Sequence, residues 1–369
     1  MKKHSAENER MKRRYFSYLK EARRQSEATI DAVAKALARF EEHTKYRDFK
    51  AFHYQQAVAF KSHLASQIGA RSGEKLSKAT LYATLANLKR FFQWLSGQSG
   101  YKSRFHYTDA DYFNLSEKDV RVATARRGQK VPTLEQVQHV LSQMPFGTDI
   151  ELRNRALLAF TLLTGARDSA VASMKLKHVD LEANCVIQDA REVKTKFSKT
   201  FTTYFFPVGD APRVIFEDWV RYLRDQLLWG GDDPLFPSTL VKVGESRQFE
   251  AAGLKRANWR DASPIRKVFK EAFERGGLQY FNPHSFRHLL VRQGQTLCKT
   301  PEDFKAWSQN LGHEGVLTTF YSYGEVQEDR QADIFKQFKE PAACSSLQLF
   351  DVDELANALM KKMSLQKTA

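Results

Sequence analysis

Apolar residues recur at helical spacing through the first hundred positions. In "SEATIDAVAKALARF", Ile30, Val33, Leu37 and Phe40 fall on one stripe. In "SKATLYATLANLKRFFQWLSG", Leu81, Leu85, Leu88, Phe92 and Leu95 repeat at alternating steps of four and three, the signature of an amphipathic helix. Ser77 stands where a side chain can cap the start of that helix, and Gly97 where the helix ends. Its outer face carries Lys78, Lys89 and Arg90. Two more helices, "LEQVQHVLSQM" and "ELRNRALLAFTLLTG", open a second region. A block rich in Val, Ile, Thr, Phe and Tyr follows, "CVIQDAREVKTKFSKTFTTYFFPV", and its polar centre predicts a β-hairpin. Helices are then expected to the end of the chain.

These patterns divide the sequence into a helical region over 1–120, a linker over 121–132, a mixed region over 133–340 and a tail over 341–369. The linker has no apolar period and carries cations, among them Arg126, Arg127 and Lys130, before it ends at Pro132. The tail passes through "PAACSS" into "VDELANALMKKM", where Val352, Leu355, Leu359 and Met363 share one helical face. An amphipathic helix on a tether has to bury that face somewhere. The fold class expected is mainly α with a small antiparallel β-sheet.

Composition narrows the function classes. The chain has 369 residues, 42% hydrophobic and 27% charged, as a globular protein with sizeable cores does. Its net charge of +15 suits a phosphate-rich partner, which points to nucleic acid. No apolar run reaches membrane-spanning length, and "MKKHSAENERMKRRY" lacks the apolar core of a signal peptide. No basic amphipathic helix with an aromatic apolar face supports a membrane-surface protein. Three scattered cysteines, Cys185, Cys298 and Cys344, make neither a disulfide framework nor a zinc site. A reduced, cytoplasmic protein is expected.

Candidate chemistry lies in short stretches. In "NPHSFRHLL", Asn282 can cap a helix and Pro283 suits its first position, so His284 and Arg287 share a face in the first turn. Backbone N–H groups and the helix dipole there favour a bound phosphate. In "TPEDFKAWSQNLGH", Thr300 caps, Pro301 opens and Gly312 stops a helix, so His313 is presented from a turn. In "LLTGARDSAV", Gly165 ends an apolar helix and Arg167 emerges beyond it. Lys194, Lys196 and Lys199 cluster in the hairpin centre. Tyr321 and Tyr323 close the series. Each stretch alone is a weak signal: a surface His/Arg pair, a loop histidine and a charged hairpin tip are ordinary solvated features.

In this order, however, "TGAR" with Arg167, the hairpin lysine, "HSFR" with His284 and Arg287, "LGH" with His313 and a tyrosine after "TT" resemble the tyrosine recombinase (phage integrase) family. The resemblance is close over about 150–330, and "LANLKRFFQWL" looks like the family's helical, SAM-like core-binding domain. It implies an α+β catalytic domain with Arg167, Lys194, His284, Arg287, His313 and Tyr323 as catalytic residues. Lys196 and Tyr321 are second choices. The family's usual acid has no counterpart at Ala170, and Asp168 is the candidate to orient Arg167 instead. Neither tyrosine stands at the family's usual interval from the Gly-His histidine. Tyr323 is preferred because "YGEV" resembles the segment after the family's nucleophile.

The resemblance implies site-specific cutting and rejoining of double-stranded DNA through a 3′-phosphotyrosyl ester and a Holliday junction. Such an integrase works without a metal or other cofactor, in a DNA-bound tetramer that accessory DNA-bending proteins can assist. The other readings are a type IB topoisomerase-like activity and a DNA-binding protein with an inactive integrase fold. The intact catalytic series weighs against the last, since a pure binder needs no phenol. Lys78, Lys89, Arg90, Arg126, Arg127 and Lys130 are the expected DNA contacts, in a C-shaped clamp. A nucleoid-associated location follows, with the tail docking on a neighbouring protomer.

Overall fold

The computed structural model describes residues 5–69, 73–125, 130–244 and 247–313. Arg126, Arg127, Tyr321, Tyr323 and the tail lie outside them. The chain forms two compact units, Met1–Arg127 and Gly128–Ala369.

The first unit is helical throughout the described residues. Helix α1 spans Ala6–Ser17 and continues as a π-helical turn over Tyr18–Ala22; α2 spans Glu27–His43, α3 Tyr54–Ser66, α4 Lys78–Ser96 and α5 Glu117–Thr124. Ser26 and Ser77 cap α2 and α4 by accepting from the backbone N–H groups of Thr29 and Thr80. The stripes read from sequence form the core. Leu37, Leu88 and Leu95 are fully buried, and Phe40, Phe52, Phe92 and Phe113 pack ring on ring, with Phe52 and Phe92 stacked at 3.9 Å. The stretch read as a linker from 121 is still helical through Thr124, because Ser116 caps α5 and α5 packs on α4.

The second unit is built round α7, Asp149–Thr164, which has Ala156, Leu157, Ala159, Phe160 and Leu162 fully buried, so that it runs through the core rather than over it. Around it lie α6 (Leu134–Gln143), the short α8 (Asp168–Val171), α9 (Asp210–Arg221), α10 (Ser263–Arg275), α11 (Pro283–Leu297) and α12 (Pro301–Asn310). The expected hairpin is present: β2 (Cys185–Gln188) pairs antiparallel with β3 (Phe201–Tyr204), Val186 opposite Thr203, and the two-residue β1 (Val179–Asp180) adds to the other edge of β2.

A second sheet departs from the expectation of helices after the hairpin. Strands β4 (Ser238–Val243) and β5 (Phe249–Lys255) pair antiparallel with a register shift between Thr239 and Val241. Their residues are mostly exposed, so no apolar alternation marks them in the sequence. They are fixed at their base by Arg153 of α7, whose Nη1 donates to the Pro237 carbonyl at 2.9 Å and to Thr239 Oγ1 at 3.0 Å.

Candidate active site

Three chain reversals meet where the candidate residues gather, and glycine permits two of them. Helix α7 ends at Gly165, in the left-handed region at φ +57°, and a Cβ there would stand 2.8 Å from Leu290 Cδ1. After α12 the chain turns at Gly312, φ +71°, where a Cβ would stand 2.5 Å from the Phe201 ring. Asn282 and Thr300 cap α11 and α12 as the sequence implied, Asn282 Oδ1 accepting from the Ser285 N–H and Thr300 Oγ1 from that of Asp303. Trp307 of α12 donates its Nε1–H to the Leu290 carbonyl of α11 at 2.9 Å and lies over Gly294, so the two helices approach closely.

Arg287 is the bolt. Its side chain is 2% exposed. Nη1 donates to the Gly165 carbonyl at 2.6 Å, and Nη2 donates to the Leu311 carbonyl at 2.6 Å. Nη2 also lies 3.0 Å from His313 Nε2. A guanidinium has no lone pair to offer, so Nε2 is the acceptor and the His313 ring carries its proton on Nδ1. Burial, then the charges of Arg287 and Arg167, push His313 down to about 3, so this ring is neutral at pH 7. Arg287 thus joins the "TGAR" turn to the "LGH" turn.

His284 sits one helical turn before His288, and the two rings meet edge to face at 5.2 Å and 89°. Desolvation, followed by the charges of Arg287 and Arg167, holds His284 down to about 4 although the residue is exposed at the surface. Desolvation and the neighbouring His284 hold His288 at about 4 as well. His288 did not stand out in the sequence, although its spacing from His284 is the i, i+4 step that places two side chains on one helix face.

Arg167 stands at the N-cap position of α8 without a capping hydrogen bond and is half-buried; among the described residues no hydrogen bond or ion pair engages its guanidinium. The expectation that Asp168 orients it is corrected here. Asp168 Oδ2 instead accepts from Arg266 of α10, Nε at 2.8 Å and Nη2 at 2.7 Å, and Oδ1 accepts from the Ser169 N–H. Ala170 is buried against the core and offers no carboxylate.

The lysine loop, 189–200, enters from β2 and leaves into β3. Asn310, the last residue of α12, brackets Tyr204 of β3: Tyr204 N–H donates to Asn310 Oδ1 at 2.7 Å and Asn310 Nδ2 to the Tyr204 carbonyl at 2.9 Å. The loop is thereby held beside the "LGH" turn. The charge of Lys196 falls on His284 and that of Lys199 on His313. Lys194 is fixed by its backbone, its N–H donating to Ser173 Oγ at 2.8 Å, and its side chain is exposed.

Of the residues expected to face DNA in the first unit, two are occupied. Lys78 pairs with Asp119 of α5 at 2.8 Å and Lys89 with Asp111 at 2.7 Å. Arg90 and, in the second unit, Lys130 are exposed. No helix among the described residues is long and apolar enough to cross a membrane, and they contain no cluster of three or more His, Cys, Asp or Glu side chains able to hold a metal ion.

Among the described residues, a half-buried arginine with no side-chain partner, a buried arginine and two histidines neutral at pH 7 lie at the ends of neighbouring helices, and donors of this kind suit a phosphoryl-type anion. The phage integrase family model matches residues 131–330, and the model of the phage integrase N-terminal SAM-like domain matches 13–98, so the chain belongs to the phage integrase family and is a tyrosine-type site-specific recombinase. It is 24% identical over 324 residues to Tyrosine recombinase XerC of Lactobacillus delbrueckii subsp. bulgaricus, covering 86% of this chain and 95% of the relative. Tyrosine recombinase XerD of Listeria innocua is 24% identical over 242 residues, 64% of this chain and 72% of the relative. The fold is similar to that of a chain in the crystal structure of a lambda integrase dimer bound to a COC′ core site (TM-score 0.59, 12% identity, 92% of this chain and 99% of that one). It is also similar to that of XerH recombinase bound to a palindromic difH substrate (TM-score 0.57, 19% identity, 89% and 85%).

Proposed function

We propose that this recombinase cuts and rejoins strands of duplex DNA through a covalent ester between Tyr323 and a 3′ phosphate. The observation that carries the reading is the convergence of Arg167, His284, Arg287 and His313 at the ends of three helices. In the proposed step the Tyr323 Oη attacks phosphorus, the P–Tyr bond forms and the bond from phosphorus to the 5′ oxygen breaks. Negative charge grows on the non-bridging oxygens, where Arg167, Arg287 and His313 can donate. Fixed donors of this kind contribute about 3 kcal/mol each to the transition state. His284, neutral at pH 7, takes the phenol proton. A bound phosphodiester offsets the charges of Arg287 and Arg167 and so lifts this ring back toward its ordinary range, which makes it a better base. A lysine of the 189–200 loop protonates the departing 5′ oxygen. Lys194 is the residue chosen from sequence; the charges of Lys196 and Lys199, which act on His284 and His313, favour these instead.

The ester conserves bond energy, so a new 5′ hydroxyl reverses the step without ATP or a metal ion. Exchange between two sites needs one cut per strand, hence four protomers and a Holliday junction. The region over 1–120 and the basic stretch at 121–132 supply DNA contacts, with 133–340 catalytic. In this reading Lys78 and Lys89 exchange their carboxylates for phosphates on binding.

The test is a nicked suicide substrate, on which cleavage releases a short fragment and traps the ester. Wild type and Tyr321→Phe should form the adduct in EDTA, and Tyr323→Phe should not. An adduct from Tyr323→Phe that Tyr321→Phe abolishes would move the nucleophile by two residues. A strict metal requirement would refute the mechanism.

A further inference from the structure

We infer that Arg266 is a further phosphate-binding arginine, held ready by Asp168 to engage a backbone phosphate beside the one that Arg167 holds. The inference rests on the DNA reading above. Asp168 follows Arg167 directly in the chain, and its carboxylate is held by Arg266 of α10. Both its oxygens are engaged: Oδ1 takes the Ser169 N–H, and Oδ2 takes Nε and Nη2 of Arg266. The guanidinium is planar, with five N–H groups in fixed directions. With the Nε–Nη2 edge turned to Asp168, the other edges face away from it, and the side chain is 58% exposed.

An ion pair this exposed contributes little to stability, about 0–1 kcal/mol. Its physical effect is to remove rotamer freedom from a long side chain in advance, so less entropy is lost when an anion binds. The place of the pair ties it to the candidate site. The charge of Asp168 reaches His284, and the charges of Arg266 and Asp168 both reach Tyr280, a half-exposed phenol just before α11. Arg266 stands in the first turn of α10, while Arg167 leads into α8, so the Asp168–Arg266 pair ties the start of α10 to the residue that follows Arg167.

The experiment is binding of a fluorescein-labelled duplex of arbitrary sequence as a function of salt. Each phosphate contact adds about 0.9 to the slope of log K against log salt. Arg266→Gln should therefore lower the slope by about 0.9 and weaken binding roughly five- to tenfold at about 0.1 M salt. Arg266→Lys keeps the charge and should restore the slope. Lys267→Gln, on the same helix but 76% exposed and paired within it to Glu271, should leave the slope unchanged. Asp168→Asn should keep the slope and lose affinity about threefold, the effect of releasing a prepositioned side chain. A wild-type slope in Arg266→Gln overturns the proposal while the DNA reading stands. A wild-type protein that binds no duplex defeats the DNA reading itself.

Discussion

Arg287 and Arg167 should separate cleanly when each is replaced by alanine, because only Arg287 holds the fold together. Removing the Arg287 guanidinium leaves the carbonyls of Gly165 and Leu311, both accepting at 2.6 Å, without their buried donor, and leaves His313 Nε2 without its partner at 3.0 Å. Each buried acceptor left unpaired costs about 1–3 kcal/mol. The variant no longer keeps a cation out of water, which offsets part of this. A net loss of about 3 kcal/mol lowers the melting temperature of a unit this size by about 6–12 °C. Arg167 is half-buried and has no side-chain partner among the described residues, so Arg167→Ala should stay within about 0.5 kcal/mol of wild type. The assay is calorimetric melting of the full chain alongside adduct formation on the suicide substrate. Both variants should lose the adduct, and only Arg287→Ala should lose stability. Arg287→Lys should fall between, since one ammonium cannot span both carbonyls. If Arg287→Ala melts like wild type, or Arg167→Ala melts as low as Arg287→Ala, the account of Arg287 as the bolt between two turns is wrong.

Two further outcomes follow from the same geometry. His284, His288 and His313 are held at about 4, about 4 and about 3, below the ordinary histidine value of 6.5. The unfolded chain therefore binds more protons than the folded one between pH 6.5 and about 3. Their contribution to stability is full above 6.5 and is lost as pH falls through that window, so urea midpoints should drop from pH 7 to 4, and less so in His288→Phe; an equal drop in that variant would refute the assignment for His288. Gly312→Ala meets both the left-handed backbone at φ +71° and the Phe201 ring. A loss of about 1–2 kcal/mol from the backbone alone is expected, with adduct formation slowed because His313 is the next residue. Unchanged urea midpoint and rate would count against this turn as the element that places His313.

Much of this protein was decided within a few residues along the chain. Ser26, Ser77, Asn282 and Thr300 cap their helices by reaching the backbone three residues on, a contact that depends on little but the local sequence. The stripe from Leu81 to Leu95 is buried because helical spacing alone puts those side chains on one face. The order of Arg167, His284, Arg287 and His313 could likewise be read before any fold was known. Tertiary structure decided what those groups do with each other. Arg287 meets the Gly165 carbonyl across 122 positions, and Asp168 meets Arg266 rather than its neighbour Arg167 across 98. Lys78 and Lys89 read as a free basic face until α5 and the Tyr107–Phe113 turn brought Asp119 and Asp111 to them. The β4–β5 strands went unseen because exposed strands carry no apolar alternation, and their anchor, Arg153, lies far back on α7. Pairing between distant charges, and the surroundings that keep three histidines neutral, depend on which surfaces the folded chain brings together, and no local pattern encodes that.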